Sequence, residues 1–239
     1  MGIASNYFYI CTVKGYTFMK LFISAFTKLA VGLAMIAALL FAPAGTFCFP
    51  GAWRLILLLF IPMIIIGVVF IIWAPETLSR RLRAKEERTK QKGVVALSGL
   101  LFIVCFIIAG LDFRFGWSDI PGWVLWVCSI IFILSYGIYA EVMRENEWLS
   151  RSIEVTEGQK VINNGLYGIV RHPMYPATIG MFLSMPIIMG SWWAFLVMFP
   201  YVPTIMVRIK DEEALLNTEL EGYTAYTQKV RWKLIPYIW

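Results

Sequence analysis

Apolar residues fill the first 140 positions in four long blocks, at about 22–43, Leu55–Ala74, Val94–Leu111 and Ile120–Ala140. A bilayer core of about 30 Å is crossed by roughly 20 residues of helix at 1.5 Å rise each. The pattern therefore predicts four spanning helices. Pro62 and Gly67 interrupt the second block, and a bilayer helix tolerates both because its neighbours re-satisfy the freed backbone groups. The first block follows Lys20 and Lys28 and ends in Ala42-Pro43-Ala44, which has some features of a cleaved signal peptide. Its apolar run continues from Leu29 to Phe41, so a retained helix is the simpler reading. Asn6 stands where myristoylation after Met1-Gly2 needs Ser or Thr.

The last apolar region decides the architecture. No Lys, Arg, Asp or Glu occurs between Arg171 and Arg208. One straight helix over that stretch would be about 54 Å long, far more than a bilayer needs. Gly190-Ser191 sits near its middle, with Pro186, Pro200 and Pro203 around it. The expectation is a hairpin of two helices, about 177–189 and 192–207, which returns Arg208 to the face that carries Arg171 and His172. Glu212 and Glu213 then read as the start of a further short helix, where carboxylates suit the dipole. The tail to Trp239 is too polar to span. The fold class predicted is an all-α integral membrane bundle, with four spanning helices plus a C-terminal helical hairpin. That gives five or six membrane segments, dividing into N-terminal helices over 1–141 and a functional region over 142–239.

Composition and charge agree with this reading. The chain is 59% hydrophobic and 15% charged, where soluble domains carry about a quarter charged residues. The loop 75–93 holds seven basic residues (Arg80, Arg81, Arg83, Lys85, Arg88, Lys90, Lys92), against Arg114 alone in the loop 112–119. The positive-inside rule places 75–93 and both termini in the cytoplasm. The net charge of +6 is thus topological and not a nucleic-acid footprint. Trp53, Trp73, Trp117 and Trp123 fall near predicted helix ends, as an interfacial belt would. Cys11, Cys48, Cys105 and Cys128 form no CxxC pair, and with a single histidine there is no zinc pattern. A Walker loop and a strand-borne GxGxxG are both missing.

That single histidine, His172, lies in Arg171-His172-Pro173-Met174-Tyr175 at the edge of the hairpin. Closing the hairpin gathers Tyr167, Arg171, His172, Tyr175, Arg208, Glu212, Glu213, Tyr226 and Arg231 at one end. Each has an ordinary explanation. Arginines snorkel to headgroups, tyrosines anchor at interfaces, and a histidine caps a helix or bonds a carbonyl. Together on one face they point to a binding pocket, because polar groups at a membrane boundary are costly unless they bind something.

These residues resemble a known pattern. Arg-His-Pro-x-Tyr-x-Gly, an apolar stretch, Glu-Glu, Gly-Tyr-x-x-Tyr and a basic, Pro-containing end mark the isoprenylcysteine carboxyl methyltransferase-like membrane methyltransferases, which share this signature with phospholipid N-methyltransferases. Arg171 to Tyr175, Glu212-Glu213, Gly222-Tyr223 with Tyr226, and Arg231 with Ile235-Pro236 match it, as do Gly165-Leu166-Tyr167 and Val170 upstream. Ala177 replaces the usual Gly. The resemblance covers about 145–239.

What the resemblance implies is S-adenosylmethionine as cofactor, with S-adenosylhomocysteine as product, bound on the cytoplasmic side without a Rossmann domain. Leu166, Tyr167, Arg171, His172, Pro173, Met174, Tyr175, Glu213 and Tyr226 would form its pocket. Arg171, Arg208 and Glu212 would serve catalysis, Glu213 would meet the ammonium, and no metal is expected. The acceptor would be a lipophilic small molecule or lipidated peptide of prenylcysteine type that enters from the membrane lipids and is methylated on a carboxylate. Alanine at Arg171 or Glu213 is expected to abolish cofactor binding in a protein that still folds. Three alternatives stand beside this reading: phospholipid amine methylation; a sterol-reductase-like enzyme using NADPH, whose 2′-phosphate would need a basic cluster that the tail lacks; and a transporter or receptor. The four leading helices carry almost no mid-membrane charge and show no repeated halves, which argues against transport.

Overall fold

The computed structural model describes residues 2–75, 78, 79, 82, 89–149 and 155–239, and every regular element among these is helical. Of the basic loop, Arg80, Arg81, Arg83, Lys85 and Arg88 lie outside the described residues. Helix α1 runs Gly2–Ala44, α2 Pro50–Trp73, α3 Thr89–Phe115 and α4 Gly122–Glu145. A 3-10 turn at Gly165–Gly168 leads to α5, Met174–Met189. Then follow α6, Trp192–Met198, α7, Tyr201–Glu219, and the short α8, Tyr223–Lys229. Five stretches are long and apolar enough to cross a membrane: Met19–Ala44, Pro50–Trp73, Gln91–Phe115, Gly122–Glu145 and Trp192–Glu219. Met174–Met189 is the shorter sixth.

The predicted hairpin is present. Gly190 ends α5 in the left-handed region at φ 91°, and the Ser191 side chain caps α6 by accepting from the Ala194 N–H at 2.9 Å. Its second arm differs from expectation in two ways. It breaks at Phe199–Pro200, then continues as α7 to Glu219 without a stop near Arg208. Glu212 and Glu213 therefore sit well inside one helix, not at the start of a new one, and the dipole argument for them does not apply. A Pro at the third position of α7 is harmless because first-turn N–H groups have no intrahelical partner.

Two close approaches lock the bundle. A Cβ on Gly110 of α3 would lie 2.6 Å from the Leu40 carbonyl of α1, and one on Gly51 of α2 would meet the Met189 backbone of α5. Small residues let membrane helices pack backbone to backbone where no hydrophobic effect drives them together. Leu40, Ala52, Leu55, Phe132, Ile188 and Met198 form the interior, while Ile65, Ile72, Trp73, Trp126 and Leu134 face outward, as a lipid-facing surface requires.

The hairpin tip is tied down. Asp112, 1% exposed, accepts from the Ser118 N–H at 2.8 Å, from the Ser118 hydroxyl at 2.6 Å and from the Ser191 hydroxyl. Arg54 donates to the Ile188 carbonyl at 2.9 Å, closing the end of α5. Helix α5 has 16 residues, a rise of about 24 Å, so its other end stops short of a full crossing.

Candidate active site

The far end of α5 meets the polar end of α7. Its approach is built by the turn Gly165–Gly168, where the Glu145 carboxylate at the end of α4 accepts from the Leu166 N–H at 2.9 Å. Gly165 takes φ 53°, and a side chain there would run into Glu145. The tail then lies alongside. The Arg171 N–H donates to the Trp232 carbonyl at 2.8 Å and the His172 N–H to Lys233 at 3.0 Å. These bonds hold the motif against the tail.

Glu213 is the hub of the arrangement. Its carboxylate accepts from Arg171 Nε at 2.7 Å, pairs with Lys233 Nζ at 2.6 Å and lies 3.3 Å from His172 Nε2. Arg171 Nη1 also donates to the Val230 and Arg231 carbonyls, both at 3.0 Å. Glu212 faces elsewhere and accepts from the Tyr175 hydroxyl at 2.5 Å. That hydroxyl in turn accepts from Arg208 Nε at 3.2 Å. Gln91, fully buried at the start of α3, accepts from Arg208 Nη1 at 3.1 Å and donates to Asp211 at 2.7 Å.

A cavity of about 100 Å³ lies beside this network and opens to solvent. Arg171, His172, Tyr175, Arg208 and Glu212 give it polar lining, and Trp148, Leu149, Val161, Ile162, Leu216 and Leu220 give it apolar lining. Met174, Tyr167 and Tyr226 also line it. Of the residues expected from sequence, Leu166, Pro173 and Glu213 do not line it, and Glu213 holds the lining residues Arg171 and His172. The Arg231 side chain is exposed, and only its carbonyl takes part. Sequence reasoning missed Asn146, which donates to the Tyr167 hydroxyl at 3.0 Å, and Lys233, Gln91 and Glu145. The Arg231-Trp232-Lys233 run was the one signal that pointed to Lys233. Burial pushes the Tyr226 phenol up to about 12, with Arg171 pulling it partly back. Burial, then the charges of Glu213 and Glu212, raise Tyr223 further.

Residues 118–220 match the phospholipid methyltransferase family. The whole chain superposes on a solved eukaryotic intramembrane Ras methyltransferase, isoprenylcysteine carboxyl methyltransferase, with a TM-score of 0.52 and 16% identity. That superposition covers 100% of this chain and 88% of the other. The family match spans less than half of the chain, and the superposition is a likeness of fold. No curated protein matches the chain by sequence. The family match takes in Arg171, Arg208, Glu212 and Glu213 but ends at Leu220. Tyr223, Tyr226 and Lys233, which close the site from the tail, lie beyond it.

Proposed function

We propose that this chain is a methyltransferase that uses S-adenosylmethionine and O-methylates a carboxylate on a lipophilic acceptor of prenylcysteine type, at a site facing the cytoplasm. The observation that carries this is the cavity itself, whose lining joins two guanidinium groups and one carboxylate to a set of apolar side chains. The residues fit the cofactor. Arg171 suits its carboxylate, Glu212 its ammonium in place of Glu213, and the apolar lining of Trp148, Leu149 and Val161 its adenine. When bound, the cofactor supplies an electrophilic methyl on a sulfonium.

The chain's own part is to bind and orient. Arg208, held by Tyr175 and Gln91, sets a positive charge in the cavity lining that orients an acceptor carboxylate with one oxygen free, and positioning supplies much of the rate of an in-line displacement. A carboxylate arrives ionised and needs no base. Neither Tyr223 nor Tyr226 can act as one near neutral pH, since burial holds both protonated. The cytoplasmic side is supported by Gln91, which carries the end of the basic loop into contact with Arg208 and Asp211.

Phospholipid amine methylation stays as the second reading because the matching family is named for it. It would require His172 or Glu212 to take a proton. Membranes containing the protein, given methyl-labelled S-adenosylmethionine with either a prenylcysteine or an aminophospholipid acceptor, separate the two. Label released as methanol by mild alkali identifies an ester, and alkali-stable label in phospholipid identifies the amine product. Label in neither would sink both.

A further inference from the structure

Tyr167, Tyr175, Tyr223 and Tyr226 all face the cavity. Three of their hydroxyls are engaged. Tyr167 accepts from Asn146, Tyr175 donates to Glu212, and Tyr226 donates to the Tyr167 carbonyl at 2.6 Å. The hydroxyl of Tyr223 has no partner, although the residue is 4% exposed. Among the described residues it is the one buried side-chain oxygen or nitrogen left so. Native structures keep few such groups, because a buried donor without a partner is costly.

Packing does not call for that oxygen. The ring lies 5.7 Å from that of Tyr226 and belongs to a small apolar cluster with Leu220, Val230 and Val161. A phenylalanine would pack there equally well. The oxygen therefore answers to something that enters the cavity. Its surroundings say what kind of group that is. Burial and the charges of Glu213 and Glu212 keep the phenol protonated, so it can donate. A ligand atom that accepts here sits near two carboxylates, and an anion holds such a place only when a cation shares it. Arg171, which lines the same cavity as Tyr223, is that cation.

Resting on the cofactor reading above, we infer that the Tyr223 hydroxyl donates to the α-carboxylate at the amino-acid end of the cofactor, beside Arg171. Tyr223 is then a binding residue supplied by the tail, outside the stretch that the family match covers.

The test is calorimetric titration of S-adenosylhomocysteine, and of the same molecule lacking its carboxylate, into the detergent-purified wild type and Tyr223→Phe. Thermal unfolding of both ligand-free proteins accompanies it. The variant should unfold at the same temperature or higher, since it sheds an unpaired buried hydroxyl. It should bind S-adenosylhomocysteine about tenfold more weakly and the decarboxylated analogue as the wild type does. Equal affinity of both proteins for S-adenosylhomocysteine overturns the assignment, and so does an equal loss for both ligands. A lower unfolding temperature would show that the hydroxyl already has a partner in the free protein, and overturns it too. If the wild type binds neither ligand, the cofactor reading itself falls and takes this inference with it.

Discussion

Glu212 and Glu213 are neighbours on one helix and do different jobs. Successive helical residues point about 100° apart, so only one of the pair can face the cavity. Glu212 does, while Glu213 sits among Arg171, Lys233 and His172. Removing one member of a buried ion pair leaves its partners uncompensated and costs about 3–5 kcal/mol. Glu213→Ala should therefore lower the unfolding temperature sharply in a detergent thermal melt. This revises the expectation that it would lose only its ligand. Glu212→Gln keeps the shape and should unfold within a few degrees of wild type, yet lose S-adenosylhomocysteine binding about tenfold or more in titration. The Arg171 to Tyr175 cluster was legible in the sequence because five unusual residues stand together. The division of labour between the glutamates was not, because it depends on the rotation of α7, which Lys233 and the tail fix.

At the scale of elements, the hairpin at Gly190-Ser191 could be read directly, since a charge-free run too long for one crossing must turn where the glycine allows. The extension of α7 to Glu219 was hidden by Glu212-Glu213, which imitate a helix start. Asp112 was read as a loop residue and is a buried staple. Gln91 lay inside a charged loop in sequence, yet it opens α3 and steadies Arg208. Gln91→Leu should lower kcat/KM for the acceptor about tenfold, with S-adenosylhomocysteine affinity unchanged. Steady-state kinetics beside titration will separate these effects. Gly110→Leu, forced against the Leu40 carbonyl, should cost about 1–3 kcal/mol by overpacking, read as a lower midpoint in thermal unfolding.

For the whole molecule, the two acceptor readings differ in pH dependence. A carboxylate with an ordinary pKa near 4 is ionised throughout the neutral range, so kcat/KM should stay level between about pH 6 and pH 8.5. An amine acceptor would make it climb over the same range, and a pH–rate profile decides. At high pH the fold itself responds. A phenol whose pKa is raised by burial stabilises the native state below its unfolded value near 10, and that contribution is lost as pH rises through about 12 for Tyr226. Alkaline melts should fall off from about pH 10, and less so in Tyr226→Phe.

The shortness of α5 reaches furthest. Its tip is pinned by Asp112 and Arg54 at one boundary, and about 24 Å of helix cannot carry its first residues to the other. In a bilayer of ordinary thickness the candidate site would then lie below the headgroups, at the depth where acyl chains begin. On the proposed reading, an acceptor anchored in the bilayer would meet it without leaving the membrane. Its effective concentration is then a number of molecules per area of membrane, not per volume of buffer. Diluting the acceptor with inert lipid at constant bulk amount should slow the reaction, while adding buffer at constant lipid composition should leave it unchanged.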